Sequence, residues 1–164
     1  MINIGIDYTS AIQQSAGIGR YTREMVKALA NLHVDPPAPH YHLFVSGAKQ
    51  QALPQTPGPN FSWKTTRLSR RWLERLWYRL RLPLPVETLT GPLTLFHAPD
   101  FVLPPVKRNT RTIVTIHDLS FVRHPESVMP GMSAYLNKWV PYSVRQADHV
   151  VAVSKATRQD LIEL

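Results

Sequence analysis

An α/β fold, with a mostly parallel sheet covered by helices on both faces, is predicted from three observations. Short β-branched or apolar runs alternate with longer segments whose apolar residues recur at three- and four-residue spacing. Several of these runs stop abruptly in residues that carry chemistry, as Thr112-Ile-Val-Thr-Ile-His-Asp118 does. The length of 164 residues suits a single domain over 1–164, with enough apolar sequence for an ordinary core.

The elements follow in order. Ile2 to Ile6 alternates and reads as a first strand, followed by a polar loop from Tyr8 to Ala16. After Gly17-Ile18-Gly19-Arg20, the residues Tyr21, Met25, Val26, Leu29 and Leu32 mark one buried helix face, and Asp35-Pro-Pro-Ala-Pro39 stops it. Tyr41 to Val45 is a second strand, Gln51 to Asn60 a proline-rich surface loop, and Phe61 to Thr66 a third strand. Ser69 to Leu82 is a helix with Trp72, Leu73, Leu76, Trp77 and Leu80 on one side and most of its arginines around the rest; Pro83 and Pro85 end it. Leu93 to Phe96 is a short strand leading into His97-Ala-Pro-Asp100, and Thr112 to Ile116 is the next. Met132, Tyr135, Leu136, Trp139, Val140 and Val144 define another helix, which Pro141 is expected to kink. His149 to Val153 is a final strand, and Ser154 is a natural N-cap for the helix from Lys155. The chain ends at Leu164 inside that amphipathic helix without a capping glycine, from which a longer parent protein is expected.

The first residues have neither a basic region nor a long apolar block, and no apolar run approaches the ~18 residues of a membrane span. A cytoplasmic location is expected on that ground. There is no cysteine, which excludes disulfides and thiolate metal sites. The net charge of +8 is concentrated: between Ser62 and Leu82, Lys64, Arg67, Arg70, Arg71, Arg75, Arg79 and Arg81 face a single acid, Glu74. Such a patch points to one anionic partner surface, with no nucleic-acid motif beside it. Arg70, Arg71, Trp72, Arg75, Trp77 and Arg79 form a candidate patch for an anionic acceptor or the headgroup plane of a membrane, which would make the protein peripheral at the inner membrane face. The competing reading is a helix whose Trp/Leu face packs on the sheet, because one face cannot be buried twice.

His117-Asp118 stands where a parallel strand ends, and in open α/β sheets the ligand crevice lies outside those ends. The alternative is a turn that His117 and Asp118 merely cap. Asp7 and His97 end their own strands in the same way. Gly17 and Gly19 precede a helix, where glycine lets backbone approach a ligand and exposed N–H groups favour phosphate; turn geometry alone is the other explanation. A dinucleotide site is rejected: position 22 is Thr22 rather than a third glycine, and Ser46-Gly47 follows the second strand where an acid is needed. His40 and His42 share one face of their strand without further ligands nearby in sequence, so they are read as surface histidines and no metal site is expected. Neither a nucleophile elbow nor a phosphate-binding P-loop is present.

Four segments in order resemble the N-terminal domain of a family 4 (group 1) glycosyltransferase of the GT-B fold. They are Ser15-Ala-Gly-Ile-Gly-Arg-Tyr-Thr-Arg-Glu24, Phe96-His-Ala-Pro-Asp-Phe-Val-Leu-Pro104, Thr115-Ile-His-Asp-Leu-Ser-Phe-Val-Arg-His-Pro-Glu126 and Ala147-Asp-His-Val-Val-Ala-Val-Ser-Lys-Ala-Thr-Arg-Gln-Asp-Leu161. The resemblance implies a Rossmann-like domain that holds the acceptor on one side of a two-domain cleft. It implies a retaining transfer from a nucleotide-sugar to a glycan or lipid-linked acceptor, with the nucleotide-sugar as co-substrate and no further cofactor. It casts His117 as a contact to the donor sugar and Asp118 as the holder of that turn, with Gly17, Ile18, Gly19, Arg20 and His97 lining the donor or acceptor side. A mannosyltransferase-like branch of cell-surface polysaccharide synthesis is the nearest likeness. The family's second domain, with its paired glutamates, lies outside these residues, so the chain alone is expected to be inactive. Two other readings remain open at this point: a non-catalytic module that binds a phosphorylated or lipid-linked sugar, and a small α/β enzyme with His117 as general base.

Overall fold

Each apolar run becomes a strand, and the boundaries move by a residue or two. The computed structural model describes residues 2–32, 36–80, 82–129 and 131–163. Its strands are β1 (Asn3–Asp7), β2 (His40–Ser46), β3 (Phe61–Thr66), β4 (Leu95–Ala98), β5 (Arg111–Ile116) and β6 (His149–Ala152). All neighbouring pairs are parallel, in the order β3-β2-β1-β4-β5-β6. The chain thus winds outward from β1 to one edge, crosses over, and winds outward from β4 to the other. The direction reverses between β1 and β4, the place where open α/β sheets hold their ligands.

The helices are α1 (Thr9–Gln13), α2 (Gly17–Asn31), α3 (Arg70–Glu74), α4 (Glu87–Thr90), α5 (Ser120–Arg123), α6 (Met132–Gln146) and α7 (Lys155–Glu163). A strand's side chains alternate between faces, so Leu43 and Phe44, adjacent on β2, join different cores. Ile6, Tyr41, Leu43 and Phe61 pack with Met25, Val26 and Leu29 of α2. On the other face Phe44, Phe96, Val114 and Ile116 pack with Leu73, Trp77 and Tyr78 and with Leu136, Trp139 and Val140 of α6. Each such large side chain, when fully buried, contributes about 1.5–3 kcal/mol. Among the described residues no helix is long and apolar enough to cross a membrane.

Several expectations need correction. The stretch Tyr8 to Ala16 is not all loop: α1 forms within it, and Thr9, Ser10 and Ala11 are buried. Its polar groups are used internally, with Tyr8 N donating to Phe44 O, Ser46 N to Thr9 Oγ1 and Gln13 Nε2 to Ser46 O. Gly17 and Gly19 do not precede the helix but form its first turn. His97 lies inside β4, one residue before its end. The proline-rich loop begins with a short 3-10 turn, Gln50–Ala52. His40 and His42 do share a face, with ring centroids 5.0 Å apart, but they are half-buried rather than surface residues, and burial pushes His42 down to about 4. Leu32 and Met132 are exposed, and Pro141 is accommodated within α6 on an exposed position. Ser154 caps α7 as expected, its Oγ accepting from Thr157 N at 3.0 Å. The helix stop at Asp35, Arg81 and the terminal Leu164 lie outside the described residues.

The largest correction concerns Ser69 to Leu82. After α3 the backbone widens into a π-turn, Arg75–Arg79, in which Leu80 N donates to Arg75 O, five residues back. A uniform 3.6-residue period therefore fails. Leu73, Trp77 and Tyr78 turn inward, whereas Trp72 and Leu80 are 55% and 61% exposed. Trp77 does not belong to the surface patch; its indole N–H donates to Leu84 O at 2.8 Å within the core.

Candidate active site

The carboxyl edge of the sheet collects the polar groups. At the β1/β4 switch, Asp7 ends β1 and Asp100 follows β4. Between them reaches Arg70, the first residue of α3. Its Nη1 donates to Asp100 Oδ2 at 2.6 Å and its Nε to Glu74 Oε1 at 3.0 Å. Asp7 Oδ1 accepts from Thr9 N at 2.9 Å. Burial raises the Asp7 carboxyl above its ordinary range, and Arg70 and the Thr9 bonds oppose that rise. Tyr78, Tyr135 and Ser46 complete the wall of this small cavity, and the buried Ser46 Oγ has no partner there among the described residues. Arg70 thus sits in the crevice, not on the solvent patch where its charge had placed it.

One strand further along, His117 follows β5. Its Nε2 donates to Pro99 O at 2.8 Å, because a carbonyl can only accept. In the neutral ring that bond leaves Nδ1 as an acceptor, suited to a ligand hydroxyl. The backbone is held as well: Thr157 Oγ1, in the first turn of α7, donates to His117 O at 2.9 Å. The ring packs edge-on against Tyr21 of α2, centroids 5.1 Å apart, and against Phe101 at 5.5 Å. Phe101 carries a φ of +56°, uncommon for a bulky residue and worth about 1–2 kcal/mol of strain. Such strain is held where a side chain must be aimed. Asp118 is exposed, and its Oδ1 accepts from Ser120 N at 2.9 Å and Ser120 Oγ at 2.6 Å, a local Asx turn.

The structure therefore brings His117, Asp118, Tyr21 and the start of α2 together, and joins them through Pro99 to the Asp7–Arg70–Asp100 group. Gly17 and Arg20 are exposed at the first turns of a 15-residue helix, Ile18 is half-buried, and no side chain caps the helix start. A Cβ on Gly17 would meet open space, whereas one on Gly19 would lie 2.3 Å from Gln14 O and 2.7 Å from Ser10 O. The two glycines thus serve different ends. Gly19 lets α1 close on α2, and only Gly17 leaves backbone open to a ligand. Gly19→Ala is expected to lower stability by about 1–3 kcal/mol, since its neighbours are backbone atoms. Gly17→Ala should shift it by less than about 1 kcal/mol. Urea midpoints of the two variants decide this, and equal midpoints would contradict it.

His97 is brought near this edge but not opened to it. It is 9% exposed, and its Nε2 shares a 2.8 Å hydrogen bond with Thr115 Oγ1. Burial lowers its pKa to about 4. The unfolded chain therefore binds a proton near 6.5 that the folded chain refuses until about pH 4. Stability from this group is complete above 6.5 and is lost as pH falls toward 4. His97→Gln should flatten the slope of unfolding free energy across that window by about one proton; an unchanged slope would assign the effect elsewhere, to His42 first.

Arg71, Trp72, Arg75 and Arg79 are exposed on α3 and the π-turn, and Arg71, Arg75 and Arg79 line a depression that shares Glu74, Tyr78 and Tyr135 with the crevice wall. The crevice residues that sequence reasoning passed over are Asp100, Glu74, Tyr78, Tyr135 and Tyr21. One signal was available: Ser69 caps the helix that starts beside the carboxyl edge, its Oγ accepting from Trp72 N, so residue 70 had to lie at that edge. Among the described residues no group of three or more His, Asp or Glu is placed to hold a metal ion.

The parallel sheet, its reversal at β1/β4 and a polar edge with His117 at its centre are the features against which known proteins can be compared. The family model for Glycosyltransferase Family 4 matches residues 15–164. O-antigen chain mannosyltransferase B of Escherichia coli is 29% identical over 161 residues, covering 90% of this chain and 40% of that relative. The chain thus spans well under half of the relative's length. No solved structure matches the chain. The family match takes in α2, β4, β5 and α7, though not β1 with Asp7, and on it the chain belongs to glycosyltransferase family 4.

Proposed function

We propose that this domain is the acceptor-side wall of a retaining glycosyltransferase that moves a sugar from a nucleotide-sugar to a glycan or lipid-linked acceptor in cell-surface polysaccharide synthesis. Mannose is the proposed sugar, on the likeness to a protein named as an O-antigen chain mannosyltransferase. The observation that carries the reading is the His117 ring, fixed at one nitrogen by Pro99 O with the other left as an acceptor at the crevice edge.

In this reading His117 Nδ1 accepts a hydrogen bond from a donor-sugar hydroxyl near the reacting carbon. Asp118 holds the turn that presents the ring, and the exposed amide at Gly17 approaches the diphosphate or the acceptor. Arg20 lies beside that amide as a further charge for a phosphate. His97 acts through Thr115 on β5 and positions the crevice strands without touching substrate. The nucleotide is held chiefly by a second domain, in the part of the relatives' length that this chain does not span. Transfer is expected from the protein that includes that part and not from residues 1–164 alone, because half of the cleft cannot orient two substrates. Sugar transfer from nucleotide-mannose is the assay for both forms. Robust turnover by residues 1–164 would overturn the two-domain reading.

A further inference from the structure

Pro99 and Asp100 join the two halves of the crevice in the turn that follows β4. Proline has no N–H, so the polar group that Pro99 offers the edge is its carbonyl, and the His117 ring donates to it from Nε2 at 2.8 Å. The next residue is held by a different element. Asp100, its side chain 12% exposed, accepts from Arg70 Nη1 of α3 at 2.6 Å. Phe101 then carries the φ of +56°, and its ring lies 5.5 Å from the imidazole. Beyond Asp100 the backbone is tied by neutral bonds, Phe101 N to Thr115 O at 3.1 Å and Val102 N to Asp100 O at 2.6 Å. The Arg70 bond joins two charges, and such bonds are roughly twice as strong as neutral ones. A left-handed φ on a bulky residue persists only where its surroundings over-determine it, and Arg70 supplies the strongest of these constraints. The edge-on contact with Tyr21 restricts the imidazole but does not distinguish its two nitrogens; the Pro99 carbonyl does, because it only accepts.

We propose that Arg70 is a positioning residue for sugar transfer: by holding Asp100 it sets the Pro99 carbonyl and the Phe101 ring against His117, and so keeps the ring proton on Nε2 and leaves Nδ1 free for the donor sugar. The proposal rests on the reading of His117 given above. Arg70 itself touches no substrate in this scheme. Without it, the Asp100 carboxylate shares one small cavity with the buried Asp7 and no cation stands between them, and like charges so placed repel. Asp100 is the one that can yield, because Asp7 ends β1 inside the sheet and accepts from Thr9 N at 2.9 Å. As Asp100 swings toward solvent it turns the peptides on either side of it. The φ of Phe101 relaxes, and Pro99 O leaves the imidazole. The ring then keeps its contact with Tyr21 and loses the one that decides its tautomer. The bond from Arg70 Nε to Glu74 Oε1, at 3.0 Å, is the other arm of the same guanidinium.

The test reads the imidazole proton directly, by magnetic resonance of residues 1–164 carrying isotope-labelled histidine. At about pH 8, above the ordinary histidine range, the ring N–H signal of His117 is identified by its loss in His117→Ala. In the wild-type chain that proton is expected on Nε2 and protected from water. In Arg70→Met it should exchange about tenfold faster or more, the protection that one such hydrogen bond gives. Asp100→Ala, which leaves Arg70 its bond to Glu74, should do the same, and it serves if Arg70→Met does not fold. Two controls should keep the protected signal: Glu74→Gln, which weakens only the other arm, and Leu43→Ala, which lowers stability from the core on the α2 face. In the longer protein of the two-domain reading, Arg70→Met should lower kcat for sugar transfer by about 10–10²-fold with little change in KM. A protected Nε2 proton in folded Arg70→Met or Asp100→Ala overturns the proposal. So does an equal loss of protection in Leu43→Ala, since a softer domain would then suffice. Full transfer by Arg70→Met beside an inactive His117→Ala overturns it too. Transfer that survives His117→Ala strikes instead the reading of His117 on which the proposal rests, and proton exchange in residues 1–164 tells the two failures apart.

Discussion

On the proposed two-domain reading, His117→Ala in a longer protein that includes the second domain is expected to lower sugar transfer by about 10²–10³-fold, the usual cost of deleting one preorganised polar contact to a transition state. The loss should fall mainly on kcat, because a contact at the reacting carbon strengthens as charge develops there. The domain itself should survive. The variant forfeits the Nε2 bond to Pro99 O and the ring contacts to Tyr21 and Phe101, together about 1–2 kcal/mol. Thr157 Oγ1 still holds the backbone at residue 117. Kinetics on the longer protein and urea denaturation of residues 1–164 separate the two effects. Full activity in a folded variant would reduce His117-Asp118 to a turn.

Arg70→Met is expected to have the largest effect on folding, about 2–3 kcal/mol. It lies below the about 3–5 kcal/mol that breaking a fully buried pair costs, because the Arg70 side chain keeps a third of its surface. Asp7 and Asp100 would then share the crevice without a cation. The loss should depend on pH in a defined direction. Burial already holds the Asp7 pKa above its ordinary 3.8, and Arg70 is the main influence pulling it back. Removing Arg70 raises it further. A carboxyl whose folded pKa exceeds its unfolded value favours the native state more as pH falls through that raised pKa. The deficit of Arg70→Met should therefore narrow as pH falls below neutrality. Adding Asp100→Asn should recover part of it, since one orphaned charge is gone. A deficit that is flat with pH, or that widens in acid, would contradict the account of Asp7.

The inner strands were legible because burial on two faces demands continuous apolar or β-branched runs, and such runs are local; the edge strands β3 and β6, only partly buried, were read from their aromatic and β-branched residues. α2, α6 and α7 were legible for a related reason: each is long enough for its period to emerge. α1, α4 and α5 span four or five residues and leave no periodic trace. The Ser69–Leu82 segment failed differently. Its composition was read correctly, but a π-turn changes the angle between successive side chains, and nothing in the apolar pattern announces that change. His117 was singled out by its place after a strand, and the structure puts it there, one residue past β5. Asp100 and Arg70 were not paired because the contact joins residues thirty apart, across a crossover. The packing of Gly19 was not legible for a similar reason. Its neighbour is the backbone of α1, a helix the sequence did not reveal.

The position of β1 has a consequence for biosynthesis. β1 is made first, yet its second neighbour is β4, with Ile4 beside Leu95 and Ile6 beside His97. Once β3 is complete, roughly thirty residues must still leave the ribosome before β4 can pair, which at ordinary elongation rates takes about 2–6 s. Through that interval the nascent β3-β2-β1 sheet presents an open, apolar edge along what will become the middle of the molecule. The strand that ends in Asp7 is therefore the one most in need of protection during synthesis. Slowing translation between codons 66 and 95 should lower the soluble yield more than slowing it after codon 120, and pulse-chase solubility measurements would register the difference.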